Sequence, residues 1–380
     1  SCRSAIELAL TLTCTGGGYT SFATEVKSDV FFKKADAQKV IEVKDNTTVT
    51  PSPSDPIVVE SYGVGKYKIN VADGKNLVLK NLSMNNPVIQ GKGNITLSVD
   101  TDSLISSDKN NHYGNSLLVT GKGNDAVITG KSITISNKQA NKYNGDKNGI
   151  FMDDGSSRNL SMTADDKVSV SGAYHGITSE PNTTGDISIK AGSMDIASKG
   201  WGIFMNGANK VDIDASDGFT LKGGQGISNN GSEAITVQSR DGNTDIEAKS
   251  LYGATAGNGN ITITAKNNAV KVGAVDTVSY YAGIRSGTGS IHVIATEGNN
   301  TITTGKNVSG IVSYSNKKGN ATVEAAENNT IAAGLDGAYT KAGDITVTAG
   351  NANTITANQD GLSATGVKSA TGDKNTIKLH

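Results

Sequence analysis

Residues 282–359 read AGIRSGTGSIHVIATEGNNTITTGKNV, then SGIVSYSNKKGNATVEAAENNTIAAGL, then DGAYTKAGDITVTAGNANTITANQ, and the three lines lie on top of one another. Each carries a glycine followed by a small or apolar residue (Gly283-Ile284, Gly310-Ile311, Gly337-Ala338), then an alternating apolar run, then an Asn-Thr-Ile run. The chain repeats one supersecondary unit here. The runs Ser290-Ile291-His292-Val293, Asn320-Ala321-Thr322-Val323 and Asp344-Ile345-Thr346-Val347 set β-branched or small residues on one face and polar ones on the other, the period-two signature of half-buried strands.

A repeat of about 27 residues holding three short strands, bounded by Gly, Asn and Asp turns, matches the parallel β-helix class of solenoid. A single turn cannot bury its own apolar face. Stacking supplies the partner, with coils about 4.8 Å apart pairing strand on strand. The expected fold is therefore all-β, a right-handed parallel β-helix of three-strand coils. Asn268, Asn300, Asn329, Asn353 and Asn375 each precede a Val or Ile by two residues; amides so aligned hydrogen-bond up and down a stack, which makes them a structural ladder.

From Gly149 onward the corner recurs as Gly149-Ile150, Gly176-Ile177, Gly202-Ile203, Gly226-Ile227, Gly253-Ala254 and Gly283-Ile284, continuing to Gly361-Leu362. Residues 149–380 thus read as regular coils, with the last line cut short at His380, so that the natural protein is expected to continue. Residues 57–148 read as irregular coils: Leu77-Val78-Leu79, Asn94-Ile95-Thr96-Leu97, Leu117-Leu118-Val119 and Ile133-Thr134-Ile135 recur, separated by polar insertions such as Ser106–Gly114 and Asn137–Lys147 that read as projecting loops. Residues 24–56 read as an N-terminal cap and boundary, where Pro51, Pro53 and Pro56 interrupt any ladder because proline cannot donate to one. Residues 1–23 are either the remnant of an export signal, ending at Ser21-Phe22-Ala23, or a cap folded over the first coil.

The chain has 380 residues, 46 of them Gly, with 36% hydrophobic and 5% aromatic content, a composition suited to a narrow solenoid core. Its formal charge is −1 and its arginines are Arg3, Arg158, Arg240 and Arg285. No basic stripe with arginine forks is visible in the linear sequence, so neither a nucleic-acid partner nor strong polyanion binding is expected. Both cysteines, Cys2 and Cys14, precede the repeats. No segment approaches the roughly 20 apolar residues of a membrane-spanning helix, so the chain is expected to be soluble or anchored by something outside it.

Glycoside hydrolysis needs two carboxylates flanking one bond. Asp153 and Asp154 would point to opposite faces of a strand, and Asp212 and Asp214 alternate with Val211 and Ile213 as outward residues, near Asp217; both groups read as solvated. The run Gly121-Lys122-Gly123-Asn124-Asp125 has the look of one calcium-binding nonapeptide unit but lacks tandem copies, and His112, His175, His292 and His380 have no ligand spacing. No catalytic residue, metal or cofactor is expected. The informative pattern is aromatic: Tyr174, Trp201, Tyr252, Tyr280, Tyr281, Tyr314 and Tyr339, with Phe151 and Phe204, fall beside the glycine corner in coil after coil. Such rings form a ridge that binds a sugar or protein partner, or they stack on one another and stiffen the corner.

The Gly-Ile corners, the Asn-Thr-Ile and Asp-Ile-Thr-Val strands and the scarcity of cysteine, over roughly Ile57 to Leu379, resemble the passenger domains of autotransporter adhesins of Gram-negative bacteria. The resemblance implies a right-handed β-helix carried to the cell surface by a C-terminal translocator barrel that this sequence lacks. It implies adhesion, aggregation or biofilm formation through host or bacterial surface proteins, glycans or copies of the same passenger, and no enzyme activity. The alternatives are a β-helix lyase or hydrolase acting on polysaccharide, and a passive stalk that presents another domain.

Overall fold

The computed structural model describes residues 24–32, 40–52, 58–59, 68–100, 114–139, 147–314, 319–341, 343–364, 368–371 and 374–379. Strands make up 61% of the structure and helix 2%, and parallel strands stack into a β-solenoid of about 11 turns. The expected segment 1–23, most of the insertion 106–114 and the middle of the insertion 137–147 lie outside the described residues.

A coil contributes one strand to a 12-stranded corner sheet and, as two strands or as one long one, a segment to each of the two parallel ladders that make up a 23-stranded sheet. In one regular coil the corner strand is Ala282–Ser286, the first-ladder strand Ile291–Ala295 and the second-ladder strand Asn300–Lys306. Like stacks on like. Ile150, Ile177, Ile203, Ile227, Ala254, Ile284, Ile311 and Ala338 occupy one column of the corner sheet. Ile261, Ile291, Ala321 and Ile345 share a column of the first ladder, and Ile246, Val270, Ile302, Ile331 and Ile355 one of the second. These columns are buried and form one continuous core. At about 1.5–3 kcal/mol per buried Ile or Val side chain, their burial is the main favourable contribution to folding.

The corner glycines have a steric cause. None has a positive φ; Gly149, Gly176, Gly202, Gly253, Gly283, Gly310 and Gly337 pass over an aliphatic side chain of the second ladder, and Gly226 lies against the backbone of Gly253. A Cβ built on Gly283 would lie 2.6 Å from Ile302 Cγ2 and 2.9 Å from the Gly310 carbonyl oxygen, and one on Gly176 would lie 2.6 Å from Ile196 Cγ2. Hydrogen added in place of that methyl group lets the chain turn sharply, and so glycine recurs with the period of the coil.

The two ladders join differently along the axis. In the coils built on Ala126–Asn137, Leu160–Gly172, Ile187–Ser198 and Val211–Gly223, one long strand runs through both ladders, and its register slips at a bulge in the first three. From Ile235 the ladders are separate strands with a turn between them. Parallel pairing also reaches upstream of Ile57: Thr24–Lys27 pairs with Thr47–Thr50, which pairs with the strand at Leu77. Pro51 follows directly on Thr47–Thr50 and so falls at a strand end, where its missing donor costs no ladder bond. A helical stretch over 28–32 places Phe31 and Phe32 in the core, edge to face at 5.0 Å.

Candidate functional site

The turn from the second ladder into the corner strand delivers one or two residues just ahead of each corner glycine, on the solenoid edge. Tyr174 and His175 precede Gly176, Trp201 precedes Gly202, Tyr252 precedes Gly253, and Tyr280 and Tyr281 precede Ala282-Gly283. Stacking therefore lines these rings up along the axis. Tyr174 lies 4.0 Å from the His175 ring, His175 stacks on Phe204 at 5.5 Å, and Phe204 on Trp201 at 5.8 Å. Trp201 and Tyr252 are parallel, 7° apart at 6.1 Å, and Tyr252 meets Tyr281 edge to face at 5.6 Å. Further along, Tyr280 stacks on Tyr314 at 3.7 Å and touches Tyr339 at 5.8 Å. All seven residues expected at the ridge, six tyrosines and Trp201, thus make contacts with other rings of the edge. Phe151 differs: its side chain is buried, 3% exposed.

Arg285 joins the two ring groups. Its guanidinium carbon is 5.5 Å from the Tyr252 ring and 5.8 Å from the Tyr314 ring, while Lys341 Nζ lies 5.1 Å from Tyr314, distances typical of cation–π attraction. Arg285 Nε is buried with no hydrogen-bond partner. Burial raises the Tyr252 phenol above its ordinary value, opposed by Arg285 and reinforced by Tyr281. Tyr280 is also raised, first by its hydrogen bond to Tyr314, and at 44% exposure it is the most open tyrosine, tryptophan or phenylalanine among the described residues. His175 and Arg285 were not expected at this edge. Their signal was positional: His175 precedes Gly176 as the tyrosines precede their glycines, and Arg285 follows Gly283-Ile284.

The carboxylate groups take part in local structure. Asp214 pairs with Arg240 at 2.5 Å and Asp212 with Lys210 at 3.7 Å, both at the outward positions expected from their alternation. Asp154 accepts from Asn182 Nδ2 at 2.9 Å. The glycine-rich run at Gly121 is a turn whose carbonyls hold a guanidinium: Arg158 donates from Nε to the Thr120 oxygen at 2.8 Å and from Nη1 to that of Asn124 at 2.6 Å. Asp336 is held above the usual carboxylate range, chiefly by burial, while the backbone N–H of Asp360 donates to its Oδ1 at 3.3 Å. Among the described residues no three His, Cys, Asp or Glu side chains gather as a metal site.

Fold and edge together define the class: a parallel β-solenoid with an aromatic, arginine-bridged edge running across several coils. Set against family models, curated proteins and solved structures, the chain matches none.

Proposed function

We propose that this solenoid is an adhesin of the autotransporter type, displayed on the outer surface of a Gram-negative cell by a translocator barrel outside the present sequence, and that it attaches through the edge running from Tyr174 to Tyr339. The observation that carries the reading is the run of half-exposed rings along one edge, interrupted only at the coil of Gln225 and bridged by Arg285. A contact of this kind is linear. Each coil adds a small apolar or hydrogen-bonding increment, and many copies on one cell convert weak contacts into avidity. The partner is a surface protein, a glycan or a second copy of the chain, and attachment, aggregation and biofilm formation are the outcomes. No reaction is needed.

Beads coated with the protein test this. Wild-type beads are expected to cluster or to attach to bacterial or host cells, and the Tyr280→Ala and Tyr314→Ala variants to do so several-fold less while melting at an unchanged temperature, since Tyr280 is exposed. Beads that neither cluster nor attach, or variants that behave as wild type, would overturn the reading.

A second reading, cleavage of an extended polysaccharide, is favoured by Asp336 and Asp360, carboxylates on successive coils of which the first has a raised pKa. Release of reducing ends from polygalacturonate, abolished by Asp336→Asn, would put it ahead of adhesion.

A further inference from the structure

A trough of about 640 Å³ runs across successive coils just past the end of the second ladder, beside the aromatic edge. Its pattern comes from register. Three residues beyond the inward column Ile135, Val170, Ile196, Leu221, Ile246 and Val270 stand Lys138, Ala173, Lys199, Gly224, Lys249 and Gly273. Lysine and a small residue alternate coil by coil. Ala173, Gly172 and Gly223 line the trough together with Lys138, Lys199, Lys249 and, beside them, Lys222.

All four lysines are exposed, and none is ion-paired with a described residue. The one carboxylate lining the trough, Glu247, lies 3.6 Å from Lys271. A molecule of formal charge −1 therefore carries an unneutralised row of cations in a groove.

Resting on the surface-binding reading, we propose that this trough binds a linear anionic polysaccharide laid along the solenoid axis, its carboxylate or sulfate groups meeting the lysines and its sugar rings lying against Tyr174, Trp201 and Tyr252. Coils spaced about 4.8 Å apart put Lys138, Lys199 and Lys249 at intervals of about 9.6 Å, comparable to a disaccharide in an extended glycan. That spacing puts one lysine against every second sugar of a polymer that carries at least one charge per disaccharide. It is sparse for a nucleic acid, where a duplex presents a charge about every 1.7 Å. The rings are close by in the chain: Tyr174, Trp201 and Tyr252 stand one, two and three residues after the lining residues Ala173, Lys199 and Lys249, and Trp201 and Tyr252 are only 7° from parallel. Cations about one Debye length apart at 0.1 M salt act almost independently, so affinity is built from several weak, salt-sensitive contacts. The stripe is invisible in the linear sequence because its members are a coil or two apart and separated by glycine or alanine.

The test measures binding of the purified chain to labelled polygalacturonate, heparin, neutral dextran and an oligothymidylate, at low and at physiological salt. Expected is retention of polygalacturonate or heparin and not of dextran, weakened by salt, and weakened about tenfold in the Lys199→Gln, Lys249→Gln double variant. The control double variant Lys68→Gln, Lys190→Gln, on the first-ladder face, should bind as wild type. Preference for polygalacturonate assigns carboxylate recognition and preference for heparin sulfate recognition. Three results would each overturn the proposal: no polyanion retained at low salt, equal losses in both double variants, or oligothymidylate bound more tightly than either glycan. Bead attachment that persists while glycan binding is absent would retire the trough and leave the adhesin reading standing.

Discussion

His175 shows how one side chain takes its chemistry from the coil above it. Its Nδ1 accepts the backbone N–H of Trp201 at 3.0 Å, its own N–H donates to Asn148 Oδ1 at 3.1 Å, and its ring lies against Tyr174 and Phe204. Burial holds the imidazole at about 4, against an ordinary 6.5. A base with a depressed pKa stabilises the fold fully above its unfolded value and loses that contribution as pH falls toward the folded one. Between pH 6.5 and 4 the loss is on the order of 3 kcal/mol. Thermal melts across this range should show the parent losing stability steeply and His175→Asn, less stable at pH 7, losing less. Parallel curves for the two proteins would contradict the assignment. The edge tyrosines and Trp201 were legible because aromatic residues are rare in this chain and cluster beside a repeating glycine. His175 was not, since nothing about a lone histidine reveals that the next coil brings a backbone N–H to its ring.

Among the elements, the second-ladder turn depends most on side-chain hydrogen bonds. Asn268 donates to Asn300, Asn300 to Asn329 and Asn329 to Asn353, each at 2.9 Å, and each Nδ2 also meets a backbone oxygen, of Ile294, Glu324 and Thr348 in turn. These amides are buried. The ladder begins where Thr244 stands in register with Asn268, and Asn268 Oδ1 is accordingly left without a partner. A second ladder runs along the outside, from Asn351 through Asn328 and Asn299, with Asn267 bonded to Asn243. The inner one was legible from identical residues at identical offsets. The outer one was less legible because its last member, Asn351, stands two residues before the inner column where Asn243, Asn267, Asn299 and Asn328 stand one before it, Ala352 taking the position in register with Asn328. Asn300→Ala leaves the Asn329 acceptor buried and unmet, and should cost about 1–3 kcal/mol. Asn299→Ala, half-exposed, should cost less than about 1 kcal/mol, because water replaces the lost partner. Urea unfolding of the two variants checks the order, and equal costs would mean that the inner ladder is not the sealed one.

At the scale of the molecule, each coil touches its neighbours and little else, so stability is close to a sum of coil and interface contributions. The period made this architecture legible from sequence, whereas surface charge was not, because a formal charge of −1 averages over a lysine row that exists only after stacking. Nearest-neighbour construction also says which large changes the chain tolerates. Removing residues 284–310 joins Gly283 to Ile311, positions that already follow corner to corner, and brings Asn268 against Asn329, residues two steps apart in the same column with Asn300 between them. The shortened chain should fold with the parent's far-ultraviolet spectrum and a urea m-value smaller by about one part in eleven, because m follows the surface exposed on unfolding. Removing Thr301 alone should do more harm. With a period of two, its loss turns Ile302 outward and Thr303 into the core of a strand pinned on both sides. If the single-residue deletion melts at the parent's temperature while the deletion of residues 284–310 unfolds, then the coil is not the unit of folding and the core is cooperative on a longer scale than its neighbours' contacts.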